Sequence, residues 1–246
     1  MTTSIGMKTE IGEEAIILAS DTQLSSLDAT EKSSFLKIVY GDFWAITQVG
    51  VYDNNMKSFY NKLRNPSDKR YKDFSKEKLI RMVNKAIERK RFFEIDQLNA
   101  ESIKDGIKVD DLAQFIMAIN NPKIDLFHID IFGNLKSLSS DENYFVLGGG
   151  KEKVERYLEE NIEGGSIDSS NIDLDKATRL CWNSLKYALK KPNSDIFSGW
   201  PIDIAVIKKD KIKSYGEMIK EAHEETDKNL LDKIIKDQMI IKDQIT

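Results

Sequence analysis

The residue best placed to do chemistry stands second in the chain. A threonine hydroxyl is a poor nucleophile unless a base sits beside it. A free N-terminal threonine brings its own base, because its α-amine can take the hydroxyl proton directly or through water. That amine has a reference pKa near 8, well below lysine, so a useful fraction is neutral at working pH. The chain opens Met1-Thr2-Thr3-Ser4, and removal of Met1 would expose Thr2. Many proteins begin this way, so the start alone decides nothing. Other reactive groups are few. Cys181 is the only cysteine, and His128 and His223 are the only histidines. An internal disulfide, a zinc site built on cysteine pairs and a multi-histidine metal site are therefore excluded, and no metal or cofactor is expected. Gly148-Gly149-Gly150 has the look of a phosphate cradle, but Lys153 stands where the last glycine of G-x-G-x-x-G belongs. It reads instead as a tight turn from strand to helix. His128 alternates within an apolar run and reads as structural, whereas His223 lies in a charged helix at the surface.

These side chains need elements to carry them. The first fifty residues suggest four strands, at Thr3–Lys8, 14–20, 35–40 and 43–49, close enough to form antiparallel hairpins. Tyr52, Met56, Phe59, Tyr60 and Leu63 then recur at helical spacing, and Ser75 is placed to cap a second helix carrying Leu79, Met82, Val83, Ala86 and Ile87. Strand patterns return at 112–119, 124–131 and 144–147. Helices follow at 151–161 and 173–189, then strands at 202–207 and 211–215. A charged helical tail runs from Glu217, with Leu230, Leu231, Ile234 and Ile235 as its stripe. Strand runs alternating with helix pairs suit stacked antiparallel sheets with helices outside, an α+β architecture.

Composition agrees. The 246 residues are 40% hydrophobic and 32% charged, which is globular. Net charge is −4, so a generally basic surface for nucleic acid or membrane is not expected. No apolar run approaches the roughly 20 residues that span a bilayer. The start lacks the basic and apolar regions of a signal peptide. A cytoplasmic protein of a reducing compartment is expected.

Three separated segments carry a resemblance. Thr2-Thr3-Ser4-Ile5-Gly6 with Ala15-Ile16-Ile17-Leu18-Ala19-Ser20-Asp21-Thr22-Gln23 resembles the opening of proteasome β subunits and their bacterial relatives. Lys37-Ile38 followed by Phe43-Trp44-Ala45-Ile46-Thr47 is similar to that family's third and fourth strands. The run from Asp195 through Ser198-Gly199 to Ile202-Asp203-Ile204-Ala205-Val206-Ile207 is similar to its late Asp-x-x-Ser-Gly segment. The resemblance spans residues 2 to 208 and implies the four-layer αββα sandwich of the N-terminal nucleophile hydrolases. It divides the chain into a domain over 1–215 and an extension over 216–246.

Residue by residue, the resemblance implies that Thr2 is the nucleophile and Asp21 balances charge beside it. Asp195 and Ser198 would hold the Thr2 amine. The backbone N–H near Gln48 would donate to the oxyanion, a contribution of about 3 kcal/mol. Thr47, Gln48 and Val49 would pair with an extended peptide, with Gly149 facing the same substrate. Three positions depart from the pattern. The family lysine falls on Ser34 when counted back from Lys37-Ile38, and strand alternation then sets Lys37 on the opposite face and favours Lys32 as the substitute. Gln48 brings a side chain where glycine is usual, and Gly148-Gly149-Gly150-Lys151 lacks the hydroxyls of a Ser-Gly-Ser loop. Three activities fit: a threonine peptidase acting on peptides or unfolded protein, a peptide ligase on the same fold, or a silent assembly subunit. The family also implies a homo-oligomer, with a ring as its usual form.

Overall fold

The computed structural model describes residues 2–25, 32–34, 36–50, 54–64, 75–98, 114–139, 142–162, 169–189, 202–221 and 227–243. Strands β1 (Thr3–Lys8) and β2 (Ala15–Asp21) form a hairpin, with Ser4 opposite Ser20 and Lys8 opposite Ile16. Strand β10 (Tyr144–Gly148) adds to the outer side of β1. Strands β11 (Ile202–Lys208) and β12 (Lys211–Ser214) add beyond β2, completing an antiparallel sheet in the order β10-β1-β2-β11-β12. The second sheet runs β5 (Val39–Tyr40), β6 (Trp44–Val49), β7 (Gln114–Ile119), β8 (Asp125–Ile129) and β9 (Leu135–Ser137), also antiparallel. A separate ribbon pairs β3 (Gln23–Ser25) with β4 (Lys32–Ser34).

Every strand has two faces, and in β1, β2, β6 and β11 both are buried. Ile16, Leu18, Ala205, Ile207, Phe145 and Leu147 from the first sheet meet Ala45, Val49, Ile116, Ala118 and Leu126 from the second, forming one apolar layer between them. The opposite face of the first sheet, with Ile5, Met7, Ile17, Ile204 and Val206, packs under α3 (Lys151–Ile162) and α4 (Leu174–Leu189). The outer face of the second sheet, with Trp44, Ile46, Phe115 and Phe127, packs under α1 (Asn54–Arg64) and α2 (Lys76–Leu98). The result is the four-layer αββα sandwich.

Helix starts follow their capping residues. Ser75 Oγ accepts from Lys78 N–H at 3.4 Å, and Asp173 Oδ1 accepts from Lys176 N–H at 2.9 Å. The C-terminal segment forms α5 (Gly216–Glu221) and α6 (Asp227–Asp243). Leu230, Leu231, Ile234 and Ile235 of α6 are buried in the same cluster as α4. Four such side chains contribute about 6–12 kcal/mol of gross apolar burial, an upper estimate. An isolated helix of this length is marginal in water, so α6 exists because it docks on its own chain. Lys208 Nζ reinforces the dock, bonding Glu13 Oε2 at 2.7 Å and the Gln238 carbonyl at 3.4 Å.

Several expected boundaries shift. The strand expected over 35–40 survives only at Val39–Tyr40, because residues 36–38 join neither sheet. The ribbon β3–β4 and the exposed strand β9 are additions that the sequence pattern did not signal. Among the described residues, no helix is long and apolar enough to cross a membrane.

Candidate active site

Thr2 leads directly into β1, and Asp21 ends β2, the neighbouring strand. The antiparallel register therefore brings the chain start and Asp21 to the same end of the sheet. The Thr3 N–H donates to Asp21 Oδ2, which fixes that carboxylate beside Thr2. Lys37 Nζ enters from the other side and donates to Thr2 Oγ1 and, at 3.0 Å, to Asp21 Oδ1. All three side chains are buried: Thr2 is 5% exposed, Lys37 4% and Asp21 0%. Burial pushes the Asp21 carboxyl above its ordinary range, and the Lys37 ammonium and the Thr3 N–H pull it back.

This geometry changes the lysine expected from sequence. Alternation counted from Ser34 turns Lys37 away from the site, but the count assumes a continuous strand. Residues 36–38 are irregular, so the parity does not carry across them. The ammonium against Thr2 is that of Lys37. Lys32 lies in β4 opposite Ser25, two residues further along the ribbon than Ser34 opposite Gln23. Asp195, Ser198 and Gly199 lie outside the described residues.

A row of hydroxyls continues the site between the sheets. Ser4 Oγ donates to Ser20 Oγ at 2.8 Å and lies 3.3 Å from Thr47 Oγ1 on the facing sheet. Ser20 Oγ also reaches the Thr3 and Asp21 carbonyls, at 3.4 and 3.1 Å. These residues are fully buried, and each polar contact stabilises the juxtaposition of Thr2 with the second sheet. Sequence reading passed over Ser4 and Ser20. Their signal was a serine at positions where alternation faces the apolar layer.

The glycine triplet has a specific role. Gly148 adopts φ +97°, and a Cβ there would lie 1.7 Å from the Thr2 carbonyl oxygen. A Cβ on Gly150 would lie 2.6 Å from Thr3 Oγ1, which accepts the Gly150 N–H at 2.9 Å. The triplet is a strand-to-helix turn, as the sequence suggests, and it also lets the backbone close over Thr2 and Thr3. Gly149 sits exposed at the tip of that turn.

Thr47, Gln48 and Val49 are all buried in β6. They pair with Ile116, Phe115 and Gln114 of β7 on one side. On the other, β5 reaches only Ala45 and Ile46, so among the described residues no strand pairs with that side of residues 47–49. The remaining reactive groups stand apart. Cys181 is buried in α4, and burial raises its thiol pKa, which keeps it uncharged. His128 is half-buried, bonded to Gln114 at 2.8 Å, with its pKa lowered chiefly by burial. His223 lies outside the described residues. Among the described residues, no group of three or more His, Cys, Asp or Glu side chains could hold a metal ion.

Two stacked antiparallel sheets lie between helix layers, with the chain start at one end of the first sheet, and this four-layer fold is shared with solved proteasome-like β-subunit structures. Among solved structures, the chain is similar to a mutant of Anbu from Hyphomicrobium sp. strain MC1, at TM-score 0.62 and 18% identity, covering 100% of this chain and 98% of that one. It is also similar to Anbu from the same strain (TM-score 0.61, 17% identity, 99% and 98% covered). A third likeness is to Anbu, an ancestral β-subunit, from Yersinia bercovieri (TM-score 0.62, 16% identity, 98% and 97% covered). No protein-family model matches the chain, and no curated protein sequence matches it.

Proposed function

We propose that the chain is an N-terminal threonine hydrolase that cleaves peptide bonds in peptides or unfolded protein through an acyl ester on Thr2. The observation that carries this reading is the buried Lys37 ammonium shared between Thr2 Oγ1 and Asp21. Removal of Met1 frees the Thr2 amine. The hydroxyl proton passes to that amine as Oγ attacks the substrate carbonyl, and the Lys37 charge stabilises the oxygen as it becomes negative. The N–H near Gln48 donates to the resulting oxyanion. The protonated Thr2 α-amine gives that proton to the leaving nitrogen, the C–N bond breaks, and an ester remains on Thr2. Water then attacks the ester with the same amine as base, releasing the acid and restoring the hydroxyl.

Among the described residues β5 pairs only with Ala45 and Ile46, and this edge of β6 supports an extended substrate added as a strand along residues 47–49. The silent-subunit reading rests on a missing lysine and a missing serine loop; Lys37 beside Thr2 weighs against the first, while Gly148-Gly149-Gly150 still lacks those hydroxyls. Asp195 and Ser198 are proposed to hold the amine, with Gly149 on the substrate side. A cytoplasmic homo-oligomer is part of the same reading.

The test is the intact mass of the purified protein before and after an electrophile directed at N-terminal threonine, with Thr2→Ala as control. Loss of Met1 and an adduct that depends on Thr2 are expected. Retained Met1, or an adduct unchanged in Thr2→Ala, refutes the reading. Incubating the competent enzyme with peptide, with and without an amine acceptor, separates hydrolysis from ligation.

A further inference from the structure

We propose that Asp203 is the positioning residue that fixes Lys37 in the site. The proposal rests on reading Thr2 as nucleophile and Lys37 as its partner. It begins from a mechanical problem. Lys37 carries its charge on a flexible four-carbon stem, and placing it costs rotamer entropy. A strand would hold the backbone under such a residue through its ladder, yet residues 36–38 join neither sheet. Their backbone is held instead by a side chain, because the Ile38 N–H donates to Asp203 Oδ2 at 2.9 Å.

Asp203 interrupts an otherwise apolar strand, Ile202–Lys208. It shares a face with Ala205 and Ile207, so it points into the layer between the sheets. It pairs across the ladder with Ser20, which pairs in turn with Ser4. A fully buried carboxylate is costly unless it is hydrogen-bonded. A carboxylate placed here without a task would be a net loss to the fold.

A second observation closes the arrangement from the opposite side. A Cβ on Gly216 would lie 2.5 Å from Asp203 Oδ1 and 2.8 Å from Leu36 Cδ2, the residue before Lys37. Gly216 therefore packs directly against both the carboxylate and the segment it holds. The adjacent Tyr215 N–H bonds the Ile204 carbonyl at 2.9 Å, which ties this strap to the same strand. Asp203, the 36–38 segment and Gly216 form one unit whose product is the location of the Lys37 ammonium.

The experiment compares the full-length protein with Asp203→Ala, Asp203→Asn and Gly216→Ala. The first readout needs no activity: acylation of lysines by a water-soluble reagent, read by peptide mass spectrometry. Lys37 is expected to be protected in the unmodified protein and to lose protection in Asp203→Ala. Lys208, also buried and at the far end of the strand that carries Asp203, should stay protected. Asp203→Asn retains an oxygen that accepts the Ile38 N–H and should keep Lys37 protected. Gly216→Ala should expose Lys37 by displacing the carboxylate. The second readout is the pH profile of Thr2 adduct formation, whose rate should fall about a hundredfold in Asp203→Ala, as for a misplaced catalytic group. Lys37 protection unchanged in Asp203→Ala overturns the proposal, and so does Lys37 and Lys208 becoming labelled together. Should Asp203→Ala fail to fold, Gly216→Ala decides by the same two lysines. If the unmodified protein forms no Thr2 adduct, the hydrolase reading fails while the labelling still tests the positioning.

Discussion

The Lys37–Asp21 pair can be weighed by a double substitution. Lys37→Met removes the principal counter-charge of the fully buried Asp21 carboxylate, and Asp21→Asn leaves an ammonium 4% exposed without its acid. Breaking a buried pair from one side costs about 3–5 kcal/mol, whereas replacing both partners with uncharged groups is often neutral or better. For a chain of this size each kcal/mol shifts Tm by about 2–4 °C, so each single variant should melt about 6–20 °C lower. The double variant Lys37→Met with Asp21→Asn should return close to the parent. The pH adds a sign. Burial already raises the Asp21 pKa, and Lys37 is the leading influence lowering it, so its removal favours the protonated acid further. A carboxyl raised in the fold stabilises the native state at low pH, and that stability is lost as pH rises through its folded value. The Lys37→Met deficit should therefore be large at about pH 8 and shrink towards about pH 5. Thermal unfolding followed by circular dichroism at both values makes the measurement. Deficits that simply add in the double variant would refute the claim that the two side chains form one buried ion pair.

Two other perturbations probe the frame around the site. Ile234→Ala removes a fully buried side chain of α6 and should cost about 2–5 kcal/mol, read as a lowered denaturant midpoint; a loss within about 0.5 kcal/mol would mean the helix is merely a surface appendage. His128→Gln should flatten the acid side of the stability profile. Burial lowers the His128 pKa below its ordinary 6.5, with Lys151 and Lys136 lowering it further and Asp130 opposing them. The folded state thus binds fewer protons than the unfolded chain below that value, so native stability present above it falls as pH drops. A midpoint-against-pH curve identical in the variant would show that another group carries the acid loss.

How far the sequence disclosed this arrangement depended on how regular the chain was. Alternation located β1, β2, β6, β7 and β11, because each buries both faces and so writes an apolar run of strand length. The same rule failed at Lys37. Counting parity assumes a ladder, and residues 36–38, between β4 and β5, are outside it. Asp203 stood in plain view inside Ile202–Lys208, yet its bond to the Ile38 N–H, 165 residues away in sequence, is visible only in the fold. The role of Gly148 was beyond any local pattern, since a turn glycine and a glycine admitting the Thr2 carbonyl read alike. Ser4 and Ser20 were legible only as exceptions to an apolar face.

Those exceptions tie the site to the sheet register. Ser4, Ser20 and Asp203 are direct neighbours across three strands, and Thr47 meets Ser4 from the opposite sheet. Further along the same layer the contacts are Ile16, Leu18, Ile116, Leu126 and Ile207. A slip of β11 by one residue would turn Asp203 towards the helix layer, among Ile5, Ile17 and Leu185, and bring isoleucines against Ser20. A buried carboxylate without its hydrogen bond costs several kcal/mol. The polar end of the sandwich therefore penalises wrong registers more steeply than the apolar end. The strand pairing that folds the domain is the same pairing that delivers Thr2, Asp21 and the anchor of Lys37 to one place.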